Sequence, residues 1–246
     1  MTLVGPHTAV ISLGVSCQTS YQLHQNKELV SHLVGEPLEY ESSFFNWLIS
    51  DCRGIATFLR AFAGRGLAYG DIVRDDREEW RFEPLQVADH RIWLWHGKPC
   101  GETSDEDLAM FTAKYHHLAR KLWALRAKRR RIFVVSNCQN NLDDTLARHC
   151  HLFQFASSPA EISSIEAAVH AAFPSGENRF IYAFYPDCTK DLAASLYHPM
   201  PRDGSAWEGS CEAWGELLRT KLPAALGSRA AWYPARRWLP RIFARD

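Results

Sequence analysis

The chain has 246 residues, a formal net charge of zero, 46% apolar residues and 23% charged residues. That length allows one large core, and the even charge balance gives no argument for nucleic acid or a strongly acidic partner. No apolar run approaches the roughly 20 residues of a membrane-spanning helix.

The first residues, MTLVGPHTAV, lack a basic start and a long apolar stretch, so no secretory leader is expected. Ala9–Ser12 reads as a short buried strand. Gly14 and Ser16 supply turn chemistry, and Cys17 to about Lys27 reads as a helix. Ser43 to Ile49 is aromatic and apolar. It leads into Asp51–Phe62, where Ile55, Phe58, Leu59 and Phe62 keep helical spacing. Residues 64–90 are polar and read as a long surface excursion with a hairpin, a candidate rim or lid. Arg91–His96 reads as a strand that ends on a histidine, and Gly97, Pro99 and Gly101 break it.

Thr103–Glu106 looks like a helix start. Phe111, Tyr115, Leu118, Leu122 and Leu125 then form one apolar stripe. The run Arg126–Arg131 reads as the solvated end of that helix. Ile132–Ser136 (IFVVS) is a buried strand followed by a polar turn from Asn137 to Asn141. His151–Phe155 reads as a short strand, Pro159–Phe173 as a helix, Arg179–Tyr185 as a strand and Ala213–Leu226 as a helix. Strands alternate with helices, so the expected fold is α/β, layered, with a largely parallel central sheet flanked by helices. One α/β domain over residues 1–227 and a basic, aromatic tail over 228–246 is the simplest division. The tail's arginines and aromatics suit peripheral contact with a membrane surface.

In parallel sheets, functional residues gather at the carboxyl ends of strands. Ser12–Cys17, His96 and Asn137 all follow expected strands. A thiol at a helix start gains from the unpaired N–H groups and the dipole, and a histidine nearby lowers its pKa further. Cys17 is therefore the candidate nucleophile, with backbone N–H groups around Cys17 and Gln18 as oxyanion donors. His96 is the candidate base, ahead of His90, which precedes its strand. Asn137 is the candidate for orienting His96. The bland alternatives are a small buried residue at a tight corner, a strand-end histidine and an ordinary turn asparagine.

Ser12-Leu13-Gly14 with Cys17, then Phe45-Asn46-Trp47, His96, and Lys114-Tyr115 before the IFVVS strand carry a resemblance. Over residues 9–140 the chain resembles a bacterial family described as papain-like cysteine peptidases and as a domain of unknown function. The family's Pro-Phe-Asp-Trp reads Phe44-Phe45-Asn46-Trp47 here, and its His-Asp-Phe reads His96-Gly97-Lys98. The resemblance implies a Cys/His peptidase-type hydrolase, with a papain-like α+β fold as the alternative architecture; it implies no substrate, and a peptide, an amide or an acyl or glycan ester stays open. A second constellation, Asp191 and His198-Pro199 followed by Gly204 and Trp207, resembles the last block of SGNH-type hydrolases. There Ser16 or Cys17 would be the nucleophile, although Val15-Ser16 stands where the acid-serine pair is expected. A non-catalytic binding module on the same fold is the third option.

The seven cysteines, at 17, 52, 100, 138, 150, 188 and 211, are odd in number and scattered. That favours free thiols and a cytoplasmic setting over a disulfide framework. His149-Cys150-His151 with Cys138 lacks the paired spacing of a zinc site, and the adjacent His116-His117 point apart on a helix. No phosphate-cradling glycine motif occurs. Neither a cofactor nor a metal is expected.

Overall fold

The computed structural model describes residues 2–46, 48–65, 72–74, 80–82, 92–93, 104–139, 156–202 and 207–227. Ten strands and six helices of the described residues carry the fold. The strands are β1 (Thr2–Val4), β2 (Thr8–Ser12), β3 (Glu39–Glu41), β4 (Ile49–Ser50), β5 (Ile72–Arg74), β6 (Trp80–Phe82), β7 (Ile92–Trp93), β8 (Arg130–Ser136), β9 (Glu177–Phe184) and β10 (His198–Pro199). The helices are α1 (Cys17–Gln25), α2 (Lys27–Val34), α3 (Cys52–Arg65), α4 (Asp105–Ala124), α5 (Pro159–Ala172) and α6 (Cys211–Ala225).

Six strands form the central sheet in the order β10-β9-β8-β2-β1-β3. The pairs β2/β8, β8/β9 and β9/β10 are parallel, and β1 is antiparallel to both β2 and β3. β2 and β8 are buried almost throughout, which is why AVIS and IFVVS read as continuous apolar runs rather than alternating ones. Alternate residues serve opposite faces. Ile11, Phe133 and Val135 pack with α3, α4 and α5, whereas Val10, Ile132 and Val134 pack with α1, α2 and α6. The architecture is a layered α/β fold, not a papain-like α+β one.

Helix ends follow local chemistry. Ser104 and Ser158 each form a capping box, with Asp107 and Glu161 respectively, so α4 and α5 start where Ser-x-x-acid occurs. Asn26 divides α1 from α2 by returning its side-chain amide to the Gln22 carbonyl at 2.9 Å. β4, β5, β6 and β7 form a second, antiparallel sheet in the order β4-β7-β6-β5. The hairpin expected in the polar excursion is the β5/β6 pair.

The basic run before IFVVS is a correction. α4 ends at Ala124, and Arg130 and Arg131 belong to β8. Arg131 is fully buried. Its guanidinium donates to the carbonyls of Leu125, Arg126, Lys128 and Ser175 and to Asn178 Oδ1. The charge closes off the end of α4, where carbonyls lack helical partners. The expected strand at 151–155 and the tail at 228–246 lie outside the described residues.

Candidate functional site

The chain leaves β2 through α1 on one face of the sheet and returns from β8 through α5 on the other. This reversal makes the crevice between the carboxyl ends of β2 and β8 the topological switch point, where open α/β sheets bind ligands. Cys17 sits there as the first residue of α1.

The turn that delivers Cys17 is held on both sides. The Val15 N–H donates to the Ser136 carbonyl at 2.9 Å, and the Val15 carbonyl accepts from the Ser50 N–H at 2.9 Å. Gly14 lies so close to α1 that a Cβ there would stand 2.1 Å from Thr19 Oγ1. The SLG-x-x-C spacing is thus a packing requirement of the strand-to-helix corner. Ser16 is the N-cap: its buried hydroxyl accepts from the Gln18 N–H at 3.3 Å and donates to Gln139 Oε1 at 2.5 Å, with the Cys138 carbonyl at 3.2 Å also within reach. Those bonds give Ser16 a capping role. They also occupy the Gln18 N–H, one of the expected oxyanion donors.

The Cys17 thiol does not show the lowered pKa expected of a helix start. Burial pushes it up to about 11, partly offset by its own backbone N–H and by the chain's N-terminal ammonium, and Glu208 adds a smaller rise. Desolvation of a thiolate outweighs the dipole at this half-buried position. Cys52, the first residue of α3, is pushed by burial to about 12, and its sulfur lies 3.7 Å from Ser157 Oγ at the approach to α5. Cys138 is buried and its thiol is also raised.

Asn137 follows β8 and is fully buried. Its side-chain oxygen accepts from the Tyr185 N–H at 2.9 Å, and its amide donates to the Cys188 carbonyl at 2.8 Å. It ties the end of β8 to the corner beyond β9. His96, His90, Trp47, Gly204 and the His149–His151 cluster lie outside the described residues. Asp191 is exposed, with φ 55°, a conformation that Asp tolerates. His198 is on β10, in register with Ala183. Its pKa is lowered by burial and by Lys221 of α6, against Glu216. Three strand spacings, about 14 Å, separate β10 from β2. The structure therefore gathers Ser16, Cys17, Asn137 and Gln139 at one edge and places His198 along the sheet from them. Among the described residues no group of three or more His, Cys, Asp or Glu is arranged to hold a metal ion.

Sequence reasoning placed Trp207 in the SGNH-like block and missed that Trp207–Gly209 is held against α1. Gln18 Nε2 donates to the Trp207 carbonyl at 2.7 Å. Gln22 Nε2 donates to the carbonyls of Glu208 at 2.6 Å and Gly209 at 3.1 Å. The only sequence signal was the Gln-x-x-x-Gln spacing of residues 18 and 22, one helical turn apart. Free thiols stand at Cys17, Cys52, Cys138, Cys188 and Cys211, and no described helix is long and apolar enough to cross a membrane. No protein-family model, no curated protein and no solved structure matches the chain.

Proposed function

We propose that the protein is a cysteine hydrolase of the peptidase or acyl-transfer type, with Cys17 as nucleophile and His96 as base. The observation that carries this reading is the position of Cys17, first in a helix, half exposed, and at the switch point of a doubly wound sheet. The papain-like label then stands for the Cys–His pairing and not for the fold. His96 takes the thiol proton, and the thiolate attacks an acyl carbonyl. The leaving group departs with the proton from His96, and water releases the acyl group from sulfur. Asn137, which also ties Tyr185 to Cys188, stays the proposed orienter of His96, and the reading rests first on Cys17 and His96. The substrate is a peptide, a glycan ester or another acyl compound, and the free thiols suit a reducing, cytoplasmic compartment.

The test uses p-nitrophenyl acetate and locates acetyl groups by mass spectrometry. The reading predicts an acetyl thioester on Cys17 with release of nitrophenolate, none in Cys17→Ala and a slower reaction in His96→Ala. Acetylation of Cys17 no greater than that of the exposed Cys211 contradicts it. Slowing in His198→Ala instead transfers the base to the SGNH-like pairing. A second reading, a non-catalytic binding module, is favoured by one observation: burial pushes the Cys17 thiol up to about 11, which keeps it protonated at neutral pH.

A further inference from the structure

Helix α1 has one open stripe. From Cys17 to Leu23 only Cys17 and Tyr21 are not buried, and His24 and Gln25 continue the same face. Cys17 and Tyr21 stand four residues apart, so they are neighbours on the helix surface. A long side chain on a helix leans back toward the N-terminus and covers the turn before its own. The Tyr21 ring therefore lies toward the turn that carries the thiol.

Trp207 extends this aromatic surface. Its ring packs on Tyr21 at a centroid distance of 5.2 Å, with the two planes 59° apart. Its backbone carbonyl accepts from Gln18 Nε2 at 2.7 Å, which sets residue 207 beside the first turn of α1. The bonds from Gln22 Nε2 to the carbonyls of Glu208 and Gly209 carry the strap on to the next turn. Gly209 has φ +70°, and a Cβ there would lie 2.7 Å from Gln18 Nε2, so only glycine lets the strap run this close to the helix. The ring pair is thus held in place from both sides, by α1 and by the strap. It is not core packing. Trp214 of α6 is 1% exposed and fills the interior, whereas Tyr21 and Trp207 are only half buried. Aromatic surface left open beside a nucleophile is area that a substrate group can cover.

We infer that Tyr21 and Trp207 form the subsite for the group next to the acyl carbon and select substrates in which that group is aromatic. This rests on the Cys17 reading above. The substrate class is then a peptide with an aromatic residue at the bond attacked, or an ester or amide of an aromatic acid. An aromatic group gains more here than an aliphatic one of equal area, because rings that meet face to edge or offset attract beyond their burial.

The experiment needs no substrate. The full chain is treated with methyl methanethiosulfonate and, separately, with benzyl methanethiosulfonate. Both are uncharged. Each passes its thioalkyl group to a thiolate as a disulfide and releases methanesulfinate. The rates at Cys17 and at the exposed Cys211 are read site by site by mass spectrometry. Dividing the benzyl rate by the methyl rate at one site cancels the intrinsic reactivity of that thiol. The expected ratio is about fivefold higher at Cys17 than at Cys211, the scale of one ring–ring contact. Trp207→Ala keeps the backbone carbonyl that Gln18 holds and brings the Cys17 ratio down toward that of Cys211, as does Tyr21→Ala. Trp207→Phe keeps a ring and retains most of the preference. A wild-type ratio no higher at Cys17 than at Cys211 overturns the inference, and so does a ratio that Trp207→Ala and Tyr21→Ala both leave unchanged. Neither result bears on whether Cys17 is catalytic, which the acetylation of Cys17 and its dependence on His96 decide separately.

Discussion

The Thr19 and Ser136 hydroxyls meet at 2.6 Å and bolt the first turn of α1 to the last residue of β8. The contact exists because Gly14 leaves room for Thr19 at the corner. Gly14→Ala drives a methyl into this bolt. The expected cost is about 1–3 kcal/mol of stability, the usual penalty for overpacking, with a changed Cys17 alkylation rate in the fraction that folds. Urea denaturation measures the first and site-resolved labelling the second. A variant as stable as the parent contradicts this corner packing.

Asn137→Ala strands the Tyr185 N–H and the Cys188 carbonyl, both of which it satisfies from a fully buried position. The expected loss is about 1–3 kcal/mol, with faster amide exchange at Tyr185. Asn137→Asp keeps the acceptor for Tyr185 and loses the donor to Cys188, so Tyr185 exchange stays slow while stability still falls. A large drop in Cys17 reactivity at unchanged stability would instead make Asn137 a positioning residue for His96.

Arg131→Lys and Arg131→Met both lose the planar fork that serves four carbonyls and Asn178. Each is expected to destabilise by about 2–4 kcal/mol, and lysine does not rescue, because one ammonium cannot reach acceptors on both sides. Thermal or urea unfolding gives the comparison. Full rescue by lysine contradicts the fork geometry.

A buried thiol sets an alkaline limit. Cys52 has a folded pKa of about 12, raised by burial from an ordinary value of 9.0. It stays neutral in the fold while the unfolded chain ionises. Its contribution is fully present below 9.0 and is lost as pH rises through the folded value. Each pH unit that a thiol spends neutral in the fold and ionised in the unfolded chain costs about 1.4 kcal/mol of stability. Unfolding free energy should fall between about pH 9 and about pH 12 and fall less in Cys52→Ala. An unchanged slope in Cys52→Ala contradicts the burial of that thiol.

The elements legible in the sequence are those where one physical signal dominates. IFVVS and RFIYAFY are strands because unbroken apolar runs suit a sheet covered on both faces. The stripe from Phe111 to Leu125 marks α4, and Ser104 marks its start. β1 and β3 are three residues each and carry too little pattern to read. α2 is hidden because the break at Asn26 depends on a side-chain bond within α1 and not on a glycine or proline. Arg131 is misread as solvated because charge normally marks surface, and here carbonyls from a helix end and a loop surround it. The thiol at the corner is legible, but its pKa is not. Spacing shows the helix start, and only the packing shows how far burial outweighs it.

The most direct measurement is the pH dependence of iodoacetamide alkylation at Cys17, read by mass spectrometry in the wild type and in His96→Ala. Burial pushes the Cys17 thiol up to about 11, against its own backbone N–H and the chain's N-terminal ammonium. Wild-type Cys17 is expected to titrate well below 9.0, the ordinary thiol value, because His96 takes its proton, and His96→Ala is expected to return it toward about 11. Wild-type and His96→Ala curves that coincide near about 11 would contradict the nucleophile assignment.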